Sequence, residues 1–409
     1  MAVLALVAGT AFAQPNMGGQ LMIGTNLLEG DNGEDSDVTM GGIGFHEAKI
    51  FATFGDSKGG GKLVFVASNP NGTAYAHSIG TNGTGGKGGA LQTWGFLYWR
   101  PVAQFRMQVG VNADGDFGVA RISGWGFTGE AKNSVAAMND YENFAAGNTW
   151  WPLWVWQSGG REGNAFYPGT GDVPNVNFQF FPAEGLTTTL VLPINGGEEL
   201  PVQDQISDFH FNIKYDFEGV GLASLAFIGR GGLAKDADTT ASAGDIYASF
   251  YLSALEGMGA ELGLTFNIPW KNASDQENGG YMGVGAGFNI DKGGPFTFKI
   301  RANATLGGKT NDVDRSTLIY ANILPCYKIN NNVWAFFYAG MCLETMPALG
   351  INDEYMRIGW FANPYIWVRA AEGLRFWTGI QLYQTNVNDP TVDPVLINWR
   401  VPFGFNFYF

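Results

Sequence analysis

The sequence predicts an all-β chain folded as a transmembrane, antiparallel, up-and-down β-barrel of 18 strands. Three observations predict it. Hydrophobicity alternates with period two over segments of about ten residues, the connections between those segments alternate short and long, and the chain opens with an export-type segment. The bulk composition agrees. Hydrophobic residues make up 45% of the chain and charged residues 15%, yet no stretch of 18 or more consecutive apolar residues occurs, which excludes a helical membrane span. The mean hydropathy is near neutral because apolar and polar residues are interleaved. A soluble β-sandwich shares that composition, so the export signal and the regularity of the pattern carry the distinction.

The start of the chain is the first element. Val3 to Val7 are apolar and Ala11-Phe12-Ala13 is a small-x-small cleavage site before Gln14, which reads as the h-region and c-region of a secretory signal peptide lacking its basic n-region. Residues 1–13 are expected to be that remnant and 14–409 a single barrel domain. The net charge of -14 argues against nucleic acid and against an anionic membrane surface as partner. Only Cys326 and Cys342 are present, so stability has to come from a closed sheet and not from a disulfide framework.

The N-terminal half gives strands near 17–28, 42–54, 61–69, 93–112, 116–126, 174–182 and 186–194. Trp94 to Val111 reads as one long strand, with Leu97, Trp99, Phe105, Met107 and Val109 on one face and Tyr98, Arg100, Gln104, Arg106 and Gln108 on the other. From about residue 205 the alternation is clearer. Phe209, Phe211, Ile213, Tyr215 and Phe217 oppose His210, Asn212, Lys214 and Asp216; Phe296, Phe298, Ile300 and Ala302 oppose Thr297, Lys299, Arg301 and Asn303. The count is 18 strands, with 16 the alternative because 61–69 and 174–182 are the weakest segments. An even number returns both termini to the same side.

Short turns are expected at Glu218-Gly219, Glu256-Gly257, Lys292-Gly293-Gly294, Asn330-Asn331-Asn332 and Glu372-Gly373. Longer polar loops fall between them, at about 231–243, 269–280, 307–315, 346–355 and 386–394. Turns at one rim and long loops at the other are the signature of a membrane barrel; a sandwich has no reason to segregate loop lengths this way.

The chain stops inside a strand, with Phe405, Phe407 and Phe409 on one face. Together with the export segment and the strand series, this ending resembles the outer-membrane β-barrel porins of Gram-negative type, with 16 to 18 strands. The resemblance covers the whole mature chain as architecture and not as a motif. It implies a bacterial outer-membrane location, short turns and termini in the periplasm, and recognition of Phe409 by the barrel-assembly machinery. It also implies a homotrimer, with the Gly- and Thr-rich loop 69–90 in the position of the porin latch loop, and passage of small hydrophilic solutes.

In lipid every backbone polar group must be paired internally, so the sheet has to close, and 16 to 18 strands leave an aqueous lumen. A Lys or Arg on the lipid face near the midplane costs on the order of 2–4 kcal/mol. Arg100, Arg106, Lys214, Lys299, Arg301, Arg357, Arg375 and Arg400 are therefore expected to project inward, as pore-lining or rim groups. The longest loop, 127–173, holds the place of the third external loop, which in porins folds into the barrel and sets the constriction. It carries Glu130, Asp140, Glu142, Glu162 and Asp172, and facing an arginine-bearing wall these would resemble the transverse field of a porin eyelet. An ordinary external capping loop is the alternative.

The same loop holds Trp150, Trp151, Trp154 and Trp156, and the expected inner face of 333–385 holds Trp334, Phe336, Tyr338, Phe361, Tyr365, Trp367, Trp377 and Tyr383. Such an aromatic track can stack sugar rings, as in sugar-selective porins; the competing roles are interfacial girdles or packing of the folded loop. Gly283, Gly285 and Gly287 alternate in one strand with no helix after them, which reads as bare inner wall and not as a nucleotide loop. The loop from Asp31 to Asp37 is rich in oxygen ligands but lacks calcium-loop spacing, so a solvated acidic loop is the default reading and no metal or cofactor is expected. The three histidines, His46, His77 and His210, lie far apart with no nucleophile motif beside them, so no enzymatic activity is expected. If the turn centres on Asn331, Cys326 faces roughly residue 335 and Cys342 roughly residue 319, beyond disulfide reach. The functional expectation is a passive diffusion channel constricted by loop 127–173, with a sugar-selective channel or a surface adhesin on a barrel platform as alternatives.

Overall fold

The computed structural model describes residues 16–33, 38, 40, 44–68, 90–111, 174–194, 209–230, 243–269, 282–306, 309–310, 313–314, 317–347, 354–384 and 397–409. The expected signal peptide, the strand expected at 116–126, the latch loop 69–90 and loop 127–173 lie outside these residues.

Nine strands come first: β1 (Asn16–Asp31), β2 (Gly44–Gly55), β3 (Gly59–Ser68), β4 (Ala90–Val102), β5 (Phe105–Gly110), β6 (Asn175–Ala183), β7 (Leu186–Pro193), β8 (His210–Phe217) and β9 (Gly221–Arg230). The second half gives β10 (Ala243–Leu252), β11 (Met258–Pro269), β12 (Met282–Asp291), β13 (Phe296–Leu306), β14 (Thr317–Asn330), β15 (Val333–Pro347) and β16 (Glu354–Ala371). The wall ends with β17, in two pieces (Leu374–Gly379 and Gln381–Gln384), and β18 (Asn398–Tyr408). Each strand pairs antiparallel with its sequence neighbours, and β1 pairs with β18 from Gln20↔Tyr408 to Asp31↔Asn398, closing an 18-stranded barrel. A two-residue hairpin, Lys309–Thr310 with Val313–Asp314, lies apart from the wall.

The strand count agrees with the sequence reading, but one segment had to be redrawn. Trp94–Val111 is not one strand. It turns at Ala103-Gln104 into the β4–β5 hairpin, with Val102 paired to Phe105 and Trp99 to Met107. A two-residue turn alone inverts parity, as Val102 opposite Phe105 shows, but the register shift between Trp99 and Val102 restores it, with Trp99 opposite Met107 and Leu97 opposite Val109, so the hairpin carries the same alternation as a single long strand. β5 pairs directly with β6, so the wall has no strand between them. The hairpin supplies one strand more than the sequence reading gives this segment, while the strand expected at 116–126 lies outside the described residues. Both weak segments, near 61–69 and 174–182, are wall strands (β3 and β6).

Connections alternate as expected. The short ones are 56–58, 103–104, 184–185, 218–220, 253–257, 292–295, 331–332 and 372–373, and every other connection between wall strands is longer. Glu-Gly pairs build four of these turns, and Gly257 (φ +65°) and Gly373 (φ +75°) adopt the left-handed conformation such a turn requires. At 56–58 the turn is tied by Asp56 Oδ1, which accepts from Lys58 N at 2.7 Å and Gly59 N at 3.1 Å. Those two backbone donors hold the Asp56 carboxyl below its ordinary range.

The two faces of the wall differ as a membrane barrel requires. On β8, Phe211, Ile213, Tyr215 and Phe217 are exposed while His210 and Asn212 are buried. On β11, Leu262, Leu264 and Phe266 are exposed while Glu261 and Thr265 are buried. Exposed apolar side chains on strands buried on their other face make a lipid-facing exterior. Gly283, Gly285 and Gly287 lie on the inward side of β12, as bare wall.

Glycine and proline shape the ladder at two places. At the seam, Phe409 N donates to Gly19 O at 3.1 Å and Gly19 N to Phe409 O at 2.8 Å. A Cβ on Gly19 would run into the Phe409 ring, so the terminal aromatic closes the barrel over a glycine. The second place is Ile380, which divides β17 between Pro364 of β16 and Pro402 of β18. Ile380 N still reaches Pro364 O at 2.9 Å and Thr378 Oγ1 donates to Pro402 O at 2.9 Å, but neither proline has an N–H for the ladder.

The cysteines follow the expected geometry with a shift of one residue. Cys326 pairs with Phe336 and Cys342 with Tyr320, because a bulge between Lys328 and Asn330 moves the register. The six positions from 336 to 342 span about 20 Å at the strand rise, and Cys326 is a free thiol. Intact mass should therefore be unchanged by reduction, and a two-dalton gain on reducing unfolded monomer would contradict this register. Leu264→Arg, on the outward face of β11, should cost about 2–4 kcal/mol in lipid vesicles, measured by urea unfolding, with Leu264→Phe close to neutral.

Candidate functional site

The inward parity of the wall selects the candidate site. On the side formed by β2 to β8, Arg100 Nη2 donates to Ala103 O at 2.6 Å and its guanidinium lies over the Phe181 ring at 5.1 Å. Arg106 lies over the Tyr98 ring at 4.6 Å. Lys62, Tyr98 and Arg106 line a cavity of about 390 Å³ with Asn16 and Thr53. Arg100 and Lys214 line a second cavity of about 390 Å³ together with Glu184 and Asp216. Both cavities lie against the short turns, and in the second the cations share the space with carboxylates.

Further round the barrel, Lys299 on β13 is buried on the inward face between the register positions of Asn289 and Leu324. Arg301 occupies the next inward position of β13, paired with Gly287 and Asn322. Arg357 on β16 is paired with Glu344. Arg400 on β18 lies over the Tyr383 ring at 5.6 Å, with Gln381 on one side of it and Glu29 on the other in the register. Arg375 on β17 lies over the rings of Trp367 and Tyr408 at 5.6 and 4.4 Å. The cations divide between two sectors of the wall, one at β3 to β8 and one at β13 to β18. Glu130, Asp140, Glu142, Glu162 and Asp172, and Trp150, Trp151, Trp154 and Trp156, lie outside the described residues.

The second sector is also aromatic. Trp334, Trp367 and Trp377 form one cross-strand row over β15, β16 and β17, with Trp334 and Trp367 edge to face at 4.4 Å and 69°. The next inward pair, Phe336 and Tyr365, stacks at 4.8 Å and 6°. Above it Tyr338 meets Phe361 at 4.8 Å, and Phe361 pairs in register with Tyr383. All eight are buried, Trp367 at 0% and Trp377 at 1% exposure, whereas outward aromatics such as Trp99 (54%) and Phe337 (41%) are open. Gly404 makes room for the row, since a Cβ there would run into the Trp377 indole. This packing explains the glycine and sets the aromatic rows on the inner face, away from the lipid.

A polar row crosses the same patch: Tyr338 pairs with Asn363, and Gln381 with Arg400. Asn363 is 0% exposed, and neither of its amide atoms has a hydrogen-bond partner. Asn363, Gln381 and Arg369 were not singled out by the sequence reading. Their inward parity with Trp367 and Trp377 was the available signal, but a polar residue in an alternating strand reads as generic lumen until its neighbours are known.

Facing can be checked directly. A variant keeping Trp367 as sole tryptophan should resist quenching by brominated acyl chains, whereas one keeping Trp99 should be quenched strongly. Equal quenching of the two would return the aromatic rows to the lipid interface.

No protein-family model matches the chain, and no curated protein matches it. Solved structures do match over nearly the full length. The Pseudomonas aeruginosa OccK9 (OpdG) structure covers 96% of this chain and 99% of its own, with a TM-score of 0.54 at 9% identity. P. aeruginosa OpdK with vanillate gives 0.53 at 10% identity over 96% and 98%, and Acinetobacter baumannii OccAB4 gives 0.53 at 7% identity over 97% and 99%. At such identities the likeness concerns the fold, and the fold is that of an outer-membrane β-barrel porin.

Proposed function

We propose that the chain is a passive diffusion channel of the bacterial outer membrane, passing small hydrophilic solutes and ions. The observation that carries it is the closed 18-stranded wall with an apolar exterior and an inward face bearing Lys, Arg, Asn and Gln. A barrel of this strand number is too wide for wall side chains alone to fill, and a polar inner wall favours water over lipid within it. The described structural neighbours include an outer membrane protein solved with vanillate, consistent with a small-solute channel.

Loop 127–173 is proposed to narrow the lumen, because it belongs to the third long connection and that connection, 111–174, is the longest of all. Its carboxylates would then face the two cationic sectors of the wall and set a field across the water column. Arg100, Arg106, Lys214, Lys299, Arg301, Arg357, Arg375 and Arg400 are proposed as the wall side of that field. The leading residues 1–13 are proposed as a signal peptide, Phe409 as the assembly signal and the homotrimer as the assembled state. Nothing in this reading calls for catalysis.

The aromatic rows bear on the sugar-selective alternative. A stacking track needs an open ring face, and Trp334 and Trp367 are closed by each other and by Arg369 and Arg375, while Trp377 is buried beside them. The burial favours a general channel over a sugar track. Single-channel conductance of the refolded barrel in a planar bilayer tests this. Stable ohmic steps, unchanged by a malto-oligosaccharide, are expected. Concentration-dependent sugar block would make the aromatic rows a binding site, and a folded, heat-modifiable barrel without conductance would favour the adhesin.

A further inference from the structure

Arg369 and Arg375 stand directly opposite each other across β16 and β17. They lie close to the short-turn end, where Arg369 N donates to Asn332 O at 2.8 Å. Their parity with Trp367 and Trp377 puts both on the inner face, and both are partly exposed. The Arg369 guanidinium lies over Trp334 at 5.6 Å and Trp367 at 5.9 Å. That of Arg375 lies over Trp367 at 5.6 Å and Tyr408 at 4.4 Å. Two like charges in directly paired positions repel. A wall that keeps such a pair normally sets a carboxylate between them. Here, among the described residues, neither guanidinium makes an ion pair or a hydrogen bond; Glu372, in the turn between them, bonds to neither.

The rings explain how the pair is held but leave it incomplete. An aromatic face attracts a guanidinium through its quadrupole but offers no oxygen to its N–H groups. Each planar fork therefore keeps its donors along the edges turned away from the indole. Directly paired strand positions lie about 4.5–5.5 Å apart at Cα, so two such forks can converge on one anion. A single carboxylate carries one negative charge and leaves one guanidinium uncompensated, whereas a phosphate dianion presents oxygens to both forks and cancels both charges.

We propose that Arg369 and Arg375 form a two-guanidinium clamp at the short-turn mouth of the barrel that binds a phosphate-type oxyanion, either inorganic phosphate or the phosphate group of a small solute. The clamp adds to the channel reading, in which Arg375 is one of the wall cations, and requires only the folded barrel. It gives the wall a stopping point for dianions at one end of the lumen, separate from any constriction.

The test uses the full chain refolded in detergent. Sodium phosphate is titrated at ionic strength held constant with sodium chloride, following indole fluorescence and phosphorus-31 line broadening. A saturable response is expected, weakened at least about tenfold in R369Q or R375Q and also reduced in R375K, which retains the charge but not the fork. Without phosphate, R375Q should unfold at the same temperature as the parent or higher, since the repulsion is relieved. A parent response reproduced by chloride alone, or an undiminished response in the R369Q/R375Q barrel, overturns the clamp. So does loss of heat stability in R375Q without phosphate, because the arginines would then be structural stacks. If the glutamine variants do not refold, an undiminished response in R375K overturns it as well. No readout involves conduction, so failure here leaves the diffusion channel standing, and a non-conducting barrel leaves the clamp standing.

Discussion

Everything in this molecule depends on closing the backbone hydrogen-bond ladder. A sheet in hydrocarbon has no water with which to satisfy a free edge, and each unsatisfied group there costs several kcal/mol. The β1–β18 seam removes the edges, and the pairing runs from Gln20↔Tyr408 to Asp31↔Asn398. Phe409 extends it by two further bonds to Gly19. With that requirement met, side chains on the outside are free to be apolar and those on the inside free to be polar, because neither face has to stabilise the sheet alone.

Inside the closed wall the charges are not spread evenly. One sector, from β3 to β8, sets Lys62 and Arg106 beside Asn16 and Thr53 in one cavity, and Arg100 and Lys214 beside Glu184 and Asp216 in another. The other, from β13 to β18, sets Lys299, Arg369, Arg375 and Arg400 among stacked aromatic rings and buried amides. Both sectors stack cations on aromatic rings, and the first also sets the carboxylates of Glu184 and Asp216 in one cavity with Arg100 and Lys214. A solute in the lumen would meet two chemically unlike walls, which is how a barrel of one fold acquires a preferred path.

Much of this was legible in the sequence. Alternation from Phe209 to Phe217 or from Phe296 to Asn303 fixes both strand and facing, because a one-residue slip would invert the whole face. Glu-Gly pairs located the short turns. The exception is the Trp94–Val111 segment: Ala103-Gln104 carries no Gly, Asn, Asp or Pro within the turn, and the register shift beside it cancels the parity change that the turn introduces, so the pattern holds no mark of the reversal. The site was less legible than the fold. Strand parity places Trp367 and Arg375 on the inward face, but only cross-strand register sets Arg369, which the sequence reading does not single out, opposite Arg375, and register depends on bulges such as those at Lys328/Asn330 and Arg369/Ala371.

The interruption of β17 at Ile380 has a consequence of its own. With Pro364 on one flank and Pro402 on the other, this stretch of wall lacks amide donors on both neighbouring strands, one strand away from the closing seam. Each proline leaves its strand one backbone donor short, so the last strands rely there on bonds such as Ile380 N to Pro364 O and Thr378 Oγ1 to Pro402 O, next to the join between the first and last strands.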